Sequence, residues 1–282
     1  MMELPPVAHM RLAAILLAAC VAFTTAPAAS AHEFWIEPQA FRIEPGEAVR
    51  GDLKVGQNFK GNVFPYLRNR FVSFRMTGRE TESGIENYDG ASPSFDLRDA
   101  DEGLVIVSYL STADRLIYRD WDTFLAYAEY EGLQWAVDAH RQRGLPERDF
   151  SETFVRCAKA LIQVGPADSQ DRDRAVGLPL ELVAQANPYD APLDRLAVQL
   201  LWQGKPLRDI QVAIFQKTEG SAVVRRAVIR TDANGMASVP LAGGGRFLLN
   251  AVRLEAAEAG SGDEWHSHWA SLTFAVSGKG EP

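Results

Sequence analysis

Two short stretches hold the residues best suited to chemistry. They are Ala29-Ser30-Ala31-His32-Glu33-Phe34-Trp35 near the start and Trp265-His266-Ser267-His268-Trp269 near the end. If an export signal is removed after Ala31, His32 becomes the first residue and carries a free α-amine beside its imidazole. One residue then offers two nitrogen ligands. His266 and His268 are two apart, so on a strand both point to one face and both can reach one ion. Amine and imidazole nitrogens suit Cu(II), Ni(II), Co(II) or Zn(II), with copper favoured by intrinsic affinity. Glu33, Asp263 and Glu264 are nearby oxygen donors. The expected metal set is His32, His266 and His268, on the condition that the two ends of the chain meet. The plainer alternative makes the pair surface imidazoles on a half-exposed strand, with Trp35 anchoring the first strand.

No catalytic residue is assigned. The chain has no Gly-x-Ser-x-Gly, no His-Glu-x-x-His and no nucleophile with a base near it in sequence. Cys20 falls in the export signal, which leaves Cys157 alone in the mature chain. Its neighbours Phe154, Val155, Ala158 and Leu161 suggest a packed small hydrophobe, not an activated thiol. His140, in the charged stretch from Asp138 to Arg143, reads as a solvated surface histidine. Gly56-Gln57-Asn58-Phe59-Lys60-Gly61 lacks the ending and context of a phosphate loop and is read as a turn.

The address is periplasmic. Arg11 precedes an apolar run from Leu12 to Ala19 that continues through Val21 to Phe23, followed by the small-x-small site at Ala29-Ser30-Ala31. That run is shorter than the roughly 20 apolar residues a membrane-spanning helix needs. Met10 is an alternative initiator. A competing reading takes Leu17-Ala18-Ala19-Cys20 as a lipoprotein box, in which case lipidated Cys20 would tether the protein to membrane. The net charge of −8 argues against nucleic acid or anionic membrane as the main partner. With 46% hydrophobic and 23% charged residues, the 282-residue chain has the composition of a globular protein of one large or two ordinary domains.

The elements that must position these residues read as mainly β: two antiparallel sandwich domains with a short helical insertion between them. Residues 1–31 are the signal, 32–190 a β-rich domain and 191–278 a C-terminal sandwich. In the first domain, Arg70 to Met76 alternates like a half-buried strand and Gly103 to Tyr109 reads as a central one. From Asp120 to Arg143 the spacing turns helical, with Asp120 or Asp122 as cap, Gly132 as a divide and Gly144 as a stop. Phe154 to Val164 stays open between strand and helix. In the second domain, Arg195 to Trp202, Ile210 to Gln216, Ala222 to Ile229, Met236 to Leu241, Arg246 to Leu254 and Trp269 to Val276 alternate with turns such as Thr231-Asp232-Ala233-Asn234-Gly235. That series resembles a transthyretin-like or carboxypeptidase-regulatory-like sandwich.

Taken together, several segments resemble one bacterial family. They are His32-Glu33-Phe34-Trp35-Ile36-Glu37-Pro38, Val55-Gly56-Gln57-Asn58-Phe59-Lys60-Gly61, Cys157-Ala158-Lys159-Ala160-Leu161, Leu178 to Val183 with Asn187-Pro188, and Trp265 to Phe274. The family is the domain of unknown function numbered 4198, described as periplasmic components associated with nickel or cobalt uptake. The resemblance spans nearly the whole mature chain and implies a non-enzymatic binding or accessory protein. It would capture nickel or cobalt for an inner-membrane transporter, with copper admitted by the donor chemistry of the residues. Members often carry more histidine at the mature N-terminus; here His32 stands alone, followed by Glu33. The other readings are a structural or interaction module for a protein or polymer partner and, less favoured, a copper-dependent oxidative enzyme.

Overall fold

The computed structural model describes residues 33–190 and 193–277. The protein is mainly β, as expected, and the strands of the described residues form three sheets. The largest has ten strands. Along its main path run Val224–Arg230, Gln211–Lys217, Gly245–Ala256, Trp265–Val276, Phe150–Val164, Gly103–Ser111, Phe71–Thr77 and Glu82–Gly84. Most neighbours are antiparallel, but Phe150–Val164 and Trp265–Val276 run parallel, with Val155 beside His268. Phe154 to Val164, ambiguous in sequence, is thus part of a central strand. Its near-continuous burial explains the missing alternation, because both faces are covered.

Each face of the large sheet packs against a smaller sheet. The strands Leu180–Ala184, Arg195–Trp202, Lys205–Pro206 and Met236–Pro240 cover one face, burying Leu182, Val198 and Leu200 against Cys157, Leu161, Leu249 and Leu272. Glu33–Pro38, Val49–Gln57, Lys60–Phe64 and Phe95–Leu97 cover the other, burying Ile36, Leu53 and Phe95 against Phe74, Val107 and Ile162. Leu161 and Ile162 point into different cores because side chains alternate along a strand. The large sheet takes strands from both sides of the boundary expected at 190, and Leu180–Ala184 joins the sheet otherwise built from later residues. Hydrogen bonding therefore runs across that boundary.

The helical insertion forms as the sequence indicates. Helix α1 spans Trp121–Glu131 and α2 spans Gln134–Gln142. The Asp120 carboxylate caps α1 by accepting from the Thr123 backbone N–H at 2.8 Å. Gly132 ends α1 in the left-handed region at φ 71°, and any Cβ there would lie 2.7 Å from the Gln211 side chain. The positive φ is what calls for glycine, since the Gln211 amide can swing aside. Together the two helices pack Phe124, Tyr127, Ala128 and Ala136 onto Phe150, Phe154, Val252, Trp265 and Trp269.

His140 corrects the sequence reading. It is fully buried, not solvated: its ring lies among Trp121, Phe124, Phe150 and Trp265. Its Nδ1 accepts from Trp265 Nε1 at 3.0 Å, and Nε2 lies 2.9 Å from the Pro146 carbonyl. The charged neighbours that suggested a surface sit on the other side of α2. Cys157 is packed as expected, and burial pushes its thiol up to about 12. The Gly56–Gly61 segment is a hairpin whose Asn58 and Phe59 both have positive φ, placing the Phe59 ring against Trp35.

Candidate metal centre

The hairpin formed by Gly245–Ala256 and Trp265–Val276 positions the candidate ligands. Its antiparallel register sets Glu255 opposite His266 and Arg253 opposite His268. All four therefore share one face of the sheet. Further along that face, Ala251, Leu249, Ala270 and Leu272 fill the hydrophobic core. Polar residues take over where the covering strand Arg195–Trp202 ends at Trp202. Ser267, Trp265 and Trp269 alternate onto the opposite face, beneath the helices.

One ligand atom from each of Glu255, His266 and His268 can be chosen so that all three lie within 4.8 Å of one another. The two imidazole centroids are 4.7 Å apart. Trp202 packs edge-on to His268 at 4.7 Å and lies under the Arg253 guanidinium at 4.0 Å. His268 is only 7% exposed, and its Nδ1 has no hydrogen-bond partner. Burial, reinforced by the neighbouring His266, pushes the His268 pKa down to about 4. The ring is therefore neutral near pH 7, the form that binds a metal. Arg253 contacts Glu255 at 2.6 Å and holds its carboxyl below the usual carboxylate range.

Two imidazoles and one carboxylate form a compact N₂O donor set with coordination positions to spare. Such a set matches the borderline ions Zn(II), Ni(II), Co(II) and Cu(II) better than hard Mg(II) or Ca(II). Among the described residues it is the one His/Cys/Asp/Glu group with ligand atoms this close.

Of the expected residues, His266 and His268 come together, while His32 lies outside the described residues. Its neighbour Glu33 accepts from the Tyr130 hydroxyl at 3.0 Å, beside the end of α1 and on the far side of the sheet from the histidine pair. The other oxygen donors suggested by sequence are used elsewhere. Asp263 accepts from Thr153, Arg115 and Ser151, and Glu264 accepts from the Ser151 backbone N–H. The sequence reading missed Glu255, Arg253 and Trp202. Glu255 precedes His266 by eleven positions, and only the hairpin register places them side by side.

Arg253 is a built-in competitor for Glu255, because a metal entering the site must share that carboxylate with a fixed cation. R253M keeps an apolar stem over Trp202 and removes the charge. The expected result is about tenfold tighter metal binding, the scale of relieving one nearby like charge at partial burial. Unchanged affinity in a calorimetric titration would remove Arg253 from the site's electrostatics.

Comparison with known proteins gives the family. The model described as "Domain of unknown function (DUF4198)" matches residues 29–255. The chain belongs to that family. The DUF4198 match extends through Glu255 and stops before the strand bearing His266 and His268, so membership alone does not speak for the pair. Comparison with curated proteins finds no match. Among solved structures, a tetra-tandem repeat in the extending region of a large adhesion protein is 11% identical. That alignment covers 87% of this chain and 49% of the other, at a TM-score of 0.20. The chain thus spans about half the length of that structure, and at this score the likeness carries no argument. No helix among the described residues is long and apolar enough to cross a membrane.

Proposed function

We propose that this DUF4198 protein is an exported binding or accessory protein that captures a transition-metal ion through His266, His268 and Glu255. Nickel and cobalt are the cargoes that the family resemblance implies, while intrinsic affinity for the nitrogen donors favours copper. The ion would pass to an uptake system in the inner membrane. The observation that carries this reading is the convergence of three ligand atoms beside a buried, unpartnered His268 Nδ1. A buried imidazole nitrogen without a partner loses hydration with no return, and a metal bond would supply the missing interaction. The Ala-Ser-Ala site before His32 supports export.

Titration of the protein beginning at His32 with Ni(II), Co(II), Cu(II) and Zn(II), beside H266A/H268A, tests the proposal. The expected result is saturable one-to-one binding that weakens by about a hundredfold or more in the double variant, since removing even supporting residues costs up to that much. A third form with one extra residue before His32 separates the α-amine from the hairpin. If it alone abolishes binding, the ion is held at the N-terminus. Negligible binding of all four ions by the native protein would favour a structural or interaction module.

A further inference from the structure

Arg156 lies on the central strand Phe150–Val164 and is half-buried, yet its side chain makes no hydrogen bond or ion pair among the described residues. Its guanidinium sits between two rings, 5.2 Å from the Phe34 centroid and 5.0 Å from that of Phe154. Burial pushes its pKa down to about 10, opposed by Tyr109 and Asp114, so it remains charged at neutral pH. Its five N–H donors thus have aromatic faces on two sides and no protein acceptor among the described residues. Lys159, three residues along the same strand, shows the usual alternative: buried and closely paired with Asp173 and Glu181.

The guanidinium lines a small cleft. Its other walls are Phe34, Phe64 and Phe154, with Arg70, Tyr109, Ser111, Thr112 and Asp114 supplying the polar part. Arg70 is engaged by Asp114, and the Tyr109 hydroxyl donates to the Arg70 carbonyl at 2.9 Å. The charges on Arg70 and Asp114 cancel, leaving the cleft with the single positive charge of Arg156. The Ser111 hydroxyl accepts from the Arg156 backbone N–H at 2.8 Å and keeps its own proton to donate. Thr112 places a second hydroxyl on the same wall. The inner volume is about 10 Å³, room for one water-sized group. A single terminal oxygen fits there.

We propose that this cleft binds the carboxylate of a small organic acid, with one oxygen against Arg156 and the hydroxyls of Ser111 and Thr112. The apolar body of the acid would lie against Phe64 and Phe154. The site is separate from the histidine hairpin, and its fate does not depend on metal binding. The rings that flank Arg156 hold the guanidinium in place before the ligand arrives, which lowers the ordering cost of recognition. A half-buried cation flanked by apolar rings also gains more from an oxyanion than one fully exposed at the surface.

Calorimetric titration of the full chain with sodium benzoate and sodium acetate, at ionic strength fixed with chloride, tests the inference. Saturable binding is expected for both, with benzoate tighter because its ring meets the aromatic walls. R156K keeps the charge but puts it on a flexible stem that the flanking rings no longer hold, and should bind benzoate about tenfold more weakly. T112V removes one hydroxyl at a site that can spare it for folding, and should weaken benzoate severalfold with an unchanged melting temperature. Carboxylates no better than sulfate, benzoate binding at full strength in both variants, or no saturable binding by the native chain would each overturn the proposal.

Discussion

Replacing Glu131 by glutamine is expected to raise the melting temperature at pH 8 and to flatten its fall between pH 5 and 8. Glu131 ends α1 and is buried over the large sheet, where the Asn250 amide donates to it at 3.4 Å. Burial and the nearby Glu33 carboxyl push its pKa up to about 8, against the pull of Arg226. Glu152, also buried, is raised by burial to about 7 although Ser267 and Tyr118 donate to it. Glu33 is shifted the same way. Tyr127 and Tyr130 complete the group, both held protonated by burial and by these carboxyls.

A carboxyl whose folded pKa is raised holds a proton that the unfolded chain has lost. Stability is therefore complete below the unfolded value near 4.5 and is lost as pH rises toward the folded value. At about 1.4 kcal/mol per pH unit for each such group, the loss across this window amounts to several kcal/mol. The buried histidines act in the opposite sense. His268 and His140 are both lowered, so they cost stability as pH falls below 6.5. The native protein should be most stable on the acid side of neutrality. E131Q cannot ionise and should melt about 5 °C or more above the native chain at pH 8, with a much smaller difference at pH 5. Thermal unfolding at the two pH values measures this. Parallel curves for the two proteins would show that Glu131 does not titrate between them.

What sequence reveals about this protein depends on how far each signal reaches along the chain. Asp120, Gly132 and the apolar spacing between them act locally, and they specify the two helices with their break. The pairing of His266 with His268 is equally local, because a strand puts residues two apart on one face. Glu255, Arg253 and Trp202 depend on register and on where a covering strand stops. An eight-residue connection from Ala257 to Glu264 does not determine that register. His140 misleads because its polar neighbours face solvent while it turns inward, toward an aromatic cluster assembled from Trp121, Phe150 and Trp265. The division at 190 misleads in a similar way. Asn187-Pro188 marks a real turn, but the parallel pairing of Phe150–Val164 with Trp265–Val276 joins what lies on either side. Parallel partners are distant in sequence by construction, so no local pattern announces them.

The central strand also carries the position whose loss should damage the fold most. K159M is expected to destabilise the protein by about 3–5 kcal/mol, the range for removing one partner of a buried ion pair. The Lys159 ammonium is fully buried and lies 2.8 Å from Asp173 and 3.0 Å from Glu181, and it donates to the Arg174 carbonyl at 3.0 Å. Those carboxylates in turn organise the chain leading into Leu180–Ala184. Glu181 accepts from the backbone N–H groups of Val176, Gly177 and Leu178, and Asp173 accepts from that of Ala184. Without the lysine, two buried carboxylates face each other with only backbone donors. Asp173 is already raised by its burial, with Lys159 pulling against that shift. Burial thus disfavours the Asp173 charge, so adding D173N to K159M should recover part of the loss. Equilibrium urea unfolding of the native chain and both variants measures this coupling. A K159M protein within about 1 kcal/mol of native stability, or a double variant weaker than the single, would mean that the segment from Asp173 to Leu178 is held by packing alone. The expected ordering places the double variant between the other two, because the cost lies in the stranded charges more than in the lost contact.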